Sequence, residues 1–556
     1  MVPKSPEANT ISATGAKRVG GMGSATSPPP TKRKKQRSRT AVRNHRSALV
    51  QPDKLGEYVK LHAEWYHDLD WRQFIRKVRG RGDLQITDEA RRSHPAGDLI
   101  KQFQSNGVPA TLASAPWPQE LKDARSQRGS HKSCDDHLDF LRDEILDYVE
   151  KGFWMLLPYR VLRHLTELRL SPMGVVPQRG RRPRLIVDYT FYQVNHDTLR
   201  LTPPEAMQFG RALERILYMI RHSNPKFGHV HLGKADLSDG FYRLQVADTG
   251  ILKLAVAFPK YPNEEQLVAL PLSLPMGWVD SPPAFCAVTE TVADLANHHP
   301  RQDWPEHPLE QLAMTPPEEP EKNVTSAARS TSDACPQRPV LIPDACRIPP
   351  VLTPSRRPLQ HYDVYVDDFI LAFQGCTKKQ RLHLRKLLHI LDTVFRPLDP
   401  QDRPTRKHVV SVKKLLKGDA CPSVTKTVLG WLINTVAGTI ELPPHRQERL
   451  TAIFKYLDKR RSVPLRKWHK ILGELRSMVI GIPGSRGLFS MLQLALKRVD
   501  PDGTIPIDQP MKDQIDDFRQ LAHQLISRPT ALAEIVPDHP VAVGPHDASG
   551  TGMGGV

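Results

Sequence analysis

Cysteine is scarce in this chain. Its 556 residues hold six, Cys134, Cys286, Cys335, Cys346, Cys376 and Cys421, and no two stand in a C-x-x-C pair. That spacing argues against a zinc knuckle and a disulfide framework and predicts an intracellular protein. Long apolar runs are also missing, as is a signal-peptide core at the N-terminus, so membrane insertion and secretion are both disfavoured. No internal repeat is found. His229, His231 and the pair His298-His299 lack partners at metal-ligand spacing and read as surface or satisfied core histidines.

Positive charge is abundant. The formal net charge is +19, and about half of it lies in the first 50 residues, around Lys32-Arg33-Lys34-Lys35-Gln36-Arg37-Ser38-Arg39. Such a surplus predicts a polyanionic partner. The Pro/Ser-rich, basic character of residues 1–60 predicts a disordered tail, serving as a nuclear import signal or an RNA-binding arm. Residues 297–358, dense in Pro, Ser, Glu and Gln, read as a disordered insertion that loops out on the surface. Residues 61–160 carry helical patterns, among them Trp65 to Val78 and Leu138 to Leu157, but no motif.

The chemistry is written in acids. Asp367 and Asp368 follow Tyr362-Asp363-Val364-Tyr365-Val366 and precede Phe369-Ile370-Leu371-Ala372-Phe373, so they fall at the tip of a predicted hairpin. About 130 residues upstream, Val230, Leu232 and Ala235 lead into Asp236, and Phe241 to Val246 reads as a further strand. Three acids at strand ends suit a pair of Mg²⁺ ions, which prefer hard oxygen ligands and let substrate phosphates complete the coordination shell. An Asp-Asp pair alone would be a solvated turn; its company makes the case.

That company is Arg184-Leu185-Ile186-Val187-Asp188-Tyr189, then Asp236-Leu237-Ser238-Asp239-Gly240-Phe241-Tyr242, then Leu274-Pro275-Met276-Gly277-Trp278-Val279-Asp280-Ser281-Pro282-Pro283-Ala284-Phe285, then Tyr365-Val366-Asp367-Asp368, then Leu429-Gly430-Trp431. These blocks, in this order over residues 160 to 495, resemble the reverse transcriptase of LTR-type and related retroelements. The resemblance implies an α+β fold of the right-hand polymerase type, with fingers, palm and thumb around an antiparallel palm sheet. It implies fingers and palm over 161–440, thumb and connection-like helices over 441–535, and the truncated start of a ribonuclease H domain over 536–556. In the last of these Asp547 would be the first acid, and with the chain ending nine residues on, RNA hydrolysis is not expected from it.

The same resemblance implies a role for each matching residue. Asp236, Asp367, Asp368 and the Leu237 carbonyl would hold two Mg²⁺ ions, with Asp239 as a cap or triphosphate-site residue. Arg184 would contact the incoming base and α-phosphate, backed by a basic turn at Arg179, Arg181 and Arg182. Phe241 would exclude a 2′-hydroxyl, favouring deoxynucleotides over an RNA replicase's substrates. Met276 and Gly277 would floor the nucleotide pocket, Met276 departing from the Gln of retroviral enzymes, and Ser281 would cap a helix. Lys414 would act as a general acid, and Leu429, Gly430 and Trp431 would grip the primer. The implied activity is RNA-directed DNA polymerisation from dNTPs on an RNA or DNA template-primer, in the nucleus or a cytoplasmic particle, with other retroelement proteins as further partners. The alternative left open by the long insertion, the severed C-terminal segment and the lack of protease or integrase motifs is a decayed fragment that binds nucleic acid without turning it over.

Overall fold

The structure is a computed structural model. It describes residues 53–178, 180–201, 207, 209–298, 304–313, 356–483, 485–498 and 503–536, and the backbone of 546–549 and 552–555. The basic tail through residue 52, Arg179, most of the 297–358 stretch and the flanks of Asp547 lie outside the described residues.

Helices and mainly antiparallel sheets make up the fold. Strands β1 (Trp154–Pro158), β2 (Ser171–Gln178), β3 (Arg181–Val187), β5 (Val256–Ala257) and β6 (Leu267–Pro271) form one sheet in the order β1-β6-β5-β2-β3, with β2 and β5 parallel. All five residues of β1 are buried, so the helical reading that ran from Leu138 to Leu157 holds only to Glu150. A continuous apolar run of this length fits a buried strand as well as a helix, and burial on both faces decided for the strand.

A second sheet carries the acids. It consists of β4 (His231–Asp236), β7 (Gln360–Tyr365) and β8 (Asp368–Phe373) in the order β4-β8-β7, antiparallel throughout. Side chains alternate across a strand. Phe369, Leu371 and Phe373 therefore join the core built with the N-terminal helices, while Ile370 and Ala372 join another core formed with residues 213–220 and 428–536. The sheet is a partition with a core on each face, and the tip carrying the acids is one of the places where it reaches solvent.

Four expectations need correcting. Phe241 does not begin a strand: Gly240–Arg243 is a 3₁₀ turn, because Asp239 and Gly240 take positive φ (61° and 47°) and reverse the chain. The predicted tail is helical from Lys54, where Asp53 accepts the Gly56 amide and Leu55 is buried. Within the stretch read as disordered, residues 304–313 are packed: Trp304 stacks on His389, Leu309 is buried, and Arg385 holds Glu310 with two hydrogen bonds of 2.6 and 3.0 Å. Ser281 opens the helix Ser281–His298 but does not cap it, donating instead to the Pro275 carbonyl at 2.7 Å.

Beyond the partition, β9 (Thr425–Val428), β10 (Trp431–Asn434) and β11 (Thr439–Glu441) form a sheet with Thr530–Ala531. Helices Pro444–Asp458, Leu465–Arg476, Ser485–Leu494 and Gln509–Ser527 follow or flank it. The spacing of Trp468, Leu472 and Leu475 at i, i+4 and i+7 predicts one apolar stripe on a helix, and all three are buried. At the C-terminus His546–Ser549 pairs with Gly552–Gly555 as a two-stranded hairpin.

Candidate active site

The hairpin between β7 and β8 turns on two residues, Val366 and Asp367, since Tyr365 pairs with Asp368. Val366 sits at φ 61°, a region that glycine favours and a branched side chain resists. Holding it there costs on the order of 1–3 kcal/mol. The packed partition supplies the constraint, and the result is a sharp tip that leaves Asp367 and Asp368 adjacent at the open end.

Register brings the third acid alongside. Asp236, the last residue of β4, is the direct cross-strand partner of Asp368, so their side chains stand on one face, about 5 Å apart at Cβ. Asp367 is tied to the same place through its backbone: the Leu237 amide donates to the Asp367 carbonyl at 3.0 Å. A Cβ on Gly240 would lie 3.8 Å from Asp367 Oδ2, so the turn after β4 closes over that carboxylate. The structure thus gathers Asp236, Leu237, Asp367 and Asp368.

These carboxylates are short of positive charge. Burial pushes the Asp368 carboxyl up to about 6; Lys234 and Lys414 partly oppose that rise, while Asp236 and Asp367 reinforce it. Burial and then the Asp236 charge raise Asp367 as well. Lys414, on the short helix Val412–Leu416, sets its ammonium 2.5 Å from Asp236 Oδ1. Burial works against that ammonium, but the hydrogen bond to Asp236 and the field of all three acids hold its pKa above the ordinary lysine value. Lys234, two residues before Asp236 on the same face, was missed by the sequence reading; strand alternation is the signal that finds it.

Among the described residues, no three His, Cys, Asp or Glu side chains form a ready metal-binding group. The donor chemistry nevertheless suits Mg²⁺: three clustered carboxylates, of which Asp367 and Asp368 are raised by burial and by their acidic neighbours, would gain from a hard divalent ion.

The other sequence-singled residues fall around this cluster or apart from it. Phe241 packs edge-on to Phe285 at 5.1 Å, on the helix that starts at Ser281. Arg184 on β3 donates toward the Met276 sulfur at 3.5 Å. Gly277, at φ 103°, lies so close to β3 that a Cβ would stand 2.4 Å from the Val187 carbonyl oxygen, and Asn195 fixes its loop by bonding the Gly277 carbonyl and the Val279 amide. Asp239 faces away to a salt bridge with Lys407 at 2.8 Å. Leu429 and Gly430 form the turn between β9 and β10 with positive φ at both (48° and 80°), and Trp431 is buried beneath it; this trio belongs to a different sheet from the acids.

No family model matches the chain, and no curated protein matches it. Among solved structures it is similar to protease-reverse transcriptases with bound nucleic acid. These include the foamy viral protease-reverse transcriptase dRH in complex with ds DNA, at 15% identity and TM-score 0.42, covering 82% of this chain and 60% of that one. They also include the foamy viral protease-reverse transcriptase with dsDNA, at 15% identity and TM-score 0.42 over 83% of this chain and 72% of that one. The same enzyme with an RNA/DNA hybrid has 15% identity and TM-score 0.43 over 83% and 47%. The chain therefore spans 60% of the length of the first of these.

Proposed function

We propose that the chain is an RNA-directed DNA polymerase of retroelement type, built as fingers, palm and thumb, that extends a primer with dNTPs on an RNA or DNA template. The observation that carries the reading is the pairing of Asp236 with Asp368 across β4 and β8, with Asp367 beside them at a strained tip. In this reading Asp236, Asp367, Asp368 and the Leu237 carbonyl would hold two Mg²⁺ ions. Once bound, those ions would lower the pKa of a primer 3′-hydroxyl and offset the charge of the triphosphate.

The chain's own residues would position and neutralise. Lys414 keeps a proton on Nζ because its acidic neighbours favour the ammonium, so it is equipped to give that proton to a leaving phosphate oxygen. Arg184 is exposed on β3, where a guanidinium can engage phosphate in bidentate fashion. The Phe241 ring, backed by Phe285, has little room to yield, which would disfavour a 2′-hydroxyl beside it. Met276 and Gly277 would form the floor under the nucleotide, and Leu429, Gly430 and Trp431 the contact with the primer strand. Other proteins of the element would be partners, in a nucleus or cytoplasmic particle. No helix among the described residues is long and apolar enough to cross a membrane.

A second reading, a nucleic-acid-binding protein without turnover, is favoured by one observation: the Lys414 ammonium occupies an Asp236 oxygen. Primer extension on poly(rA)/oligo(dT) with Mg²⁺ separates the two. Incorporation by the unmodified chain that vanishes in Asp367→Asn supports the polymerase; binding of the template-primer without incorporation by either protein rejects it.

A further inference from the structure

A cavity of about 220 Å³, lined by none of Asp236, Asp367 and Asp368, opens at the seam where residues 79–83, 151–153, 239–245 and 396–406 meet. Six arginines and one lysine line it with three aspartates, and Arg79, Arg81 and Lys151 reach further carboxylates at Asp248, Asp399 and Asp147 just outside it. At its base the arginines outnumber their counter-ions. Asp83 and Asp402 are shared by Arg243, Arg396 and Arg406, at 3.0 Å for Arg243–Asp83 and 2.6 Å for Arg396–Asp402. Among the described residues, Arg403 beside them donates only to main-chain carbonyls, those of Val78 and Glu150. Its place is enforced by the backbone: at Gly152, with φ 73°, a Cβ would lie 2.7 Å from Arg403 Nη1 and 2.9 Å from the Arg79 carbonyl oxygen.

The field of that unmatched charge is felt nearby. His62, buried under the seam, is held down to about 4, first by burial and further by Arg403, against a hydrogen bond to Leu156 that favours the charged ring. Burial disfavours the charge on Arg403 itself. Buried like charges with too few counter-ions are costly unless an ion of the opposite sign enters.

We propose that this cavity is a binding site for a small phosphate-chain oxyanion of about pyrophosphate size, separate from the acidic site. Guanidinium groups match phosphate oxygens in geometry and charge. The cavity is below the roughly 300 Å³ at which pockets begin to enclose drug-sized ligands, so a whole nucleotide does not fit inside it. Because the 79–87 segment pairs with 393–396 through main-chain bonds such as Gln85 N to the Val394 carbonyl and Arg396 N to the Asp83 carbonyl, an anion here would pin the N-terminal helices to the rest of the fold.

The test is thermal unfolding of the full chain in EDTA, with sodium pyrophosphate against sodium chloride and sodium sulfate at matched ionic strength. EDTA keeps the acidic site free of divalent ions, so its failure as a polymerase would leave this result untouched. Pyrophosphate at about a hundred times its Kd is expected to raise Tm by roughly 2–3 °C. Arg403→Gln should abolish that shift. Arg81→Gln, whose side chain is 63% exposed at the rim, should keep the basal Tm and weaken pyrophosphate binding several-fold, which keeps the test alive if the first variant does not fold. Competition by a 5′-phosphorylated oligonucleotide, but not its 5′-hydroxyl form, would assign the pocket to a nucleic-acid end; no competition assigns it to the free ion. Equal shifts with chloride or sulfate, or an undiminished pyrophosphate shift in the variants, would overturn the proposal.

Discussion

Two carboxylates on one hairpin have opposite fates. Asp363, in the middle of β7, is 3% exposed as a side chain, and the Arg215 guanidinium clasps it with hydrogen bonds of 2.7 and 2.6 Å while His361 adds a contact at 3.3 Å. Burial alone would raise its pKa, but those partners more than reverse the effect and hold it below the usual carboxylate range. Five residues on, Asp368 is also largely buried, its neighbours include two acids, and its pKa rises to about 6. The lesson is that matched charge holds a fold together and surplus charge of one sign marks where something of the other sign belongs. The arginine-lined cavity repeats the contrast with the signs exchanged.

The sharpest break would come from neutralising each carboxylate in turn. Asp368→Asn should lower primer extension on the order of 10³-fold while the metal-free protein melts no lower than the parent, since a repelling charge has been removed. A clear loss of Tm in that variant would mean the tip is structural like the middle of β7.

At the matched pair the outcome reverses. Arg215→Ala strands a buried carboxylate and should cost about 3 kcal/mol in urea unfolding, with any effect on chemistry following the loss of fold. A cost under about 1 kcal/mol would erase the distinction between the two positions.

Titration sharpens the contrast because the two surplus sites slope in opposite directions. Asp368, raised from its ordinary 3.8 to about 6, binds more protons folded than unfolded, so its contribution is complete below pH 4 and is lost as pH rises through 6. His62, lowered from 6.5 to about 4, binds fewer protons folded, so its contribution is complete above pH 6.5 and is lost as pH falls through 4. Each amounts to about 2 to 3 kcal/mol at most. Stability–pH curves of Asp368→Asn and His62→Gln should lose the respective slopes; parallel curves for parent and variants would refute the assignment.

The smallest expected effect is on substrate choice. Phe241→Val, which opens space against Phe285, should raise the use of ribonucleotides relative to deoxynucleotides on the order of tenfold. Single-nucleotide incorporation with paired rNTP and dNTP measures it, and an unchanged ratio would leave Phe241 as a core aromatic.

Much of the site was legible because it is local. The hairpin that lifts Asp367 and Asp368 and the apolar stripe on Leu465–Arg476 follow from alternation and helical spacing within short windows. Phe241 was misread as strand because its apolar neighbours alternate while the positive φ of Asp239 and Gly240 does not announce itself in composition. Residues 304–313 were misread for a related reason: a segment rich in Pro and Glu looks unfit to fold until Arg385 and His389, some 80 residues on, supply its partners.

The sequence by itself determined the inventory of acids, their hairpin and strand ends, and the basic surplus, because these rest on residue type and short-range periodicity. Only the tertiary structure decided that β4 pairs with β8 so that Asp236 faces Asp368, that Lys414 reaches Asp236 while Lys407 takes Asp239, and that Arg403 turns to the Val78 and Glu150 carbonyls. Charge balance is a property of distances between segments far apart in the chain, and it comes into being only when packing fixes them.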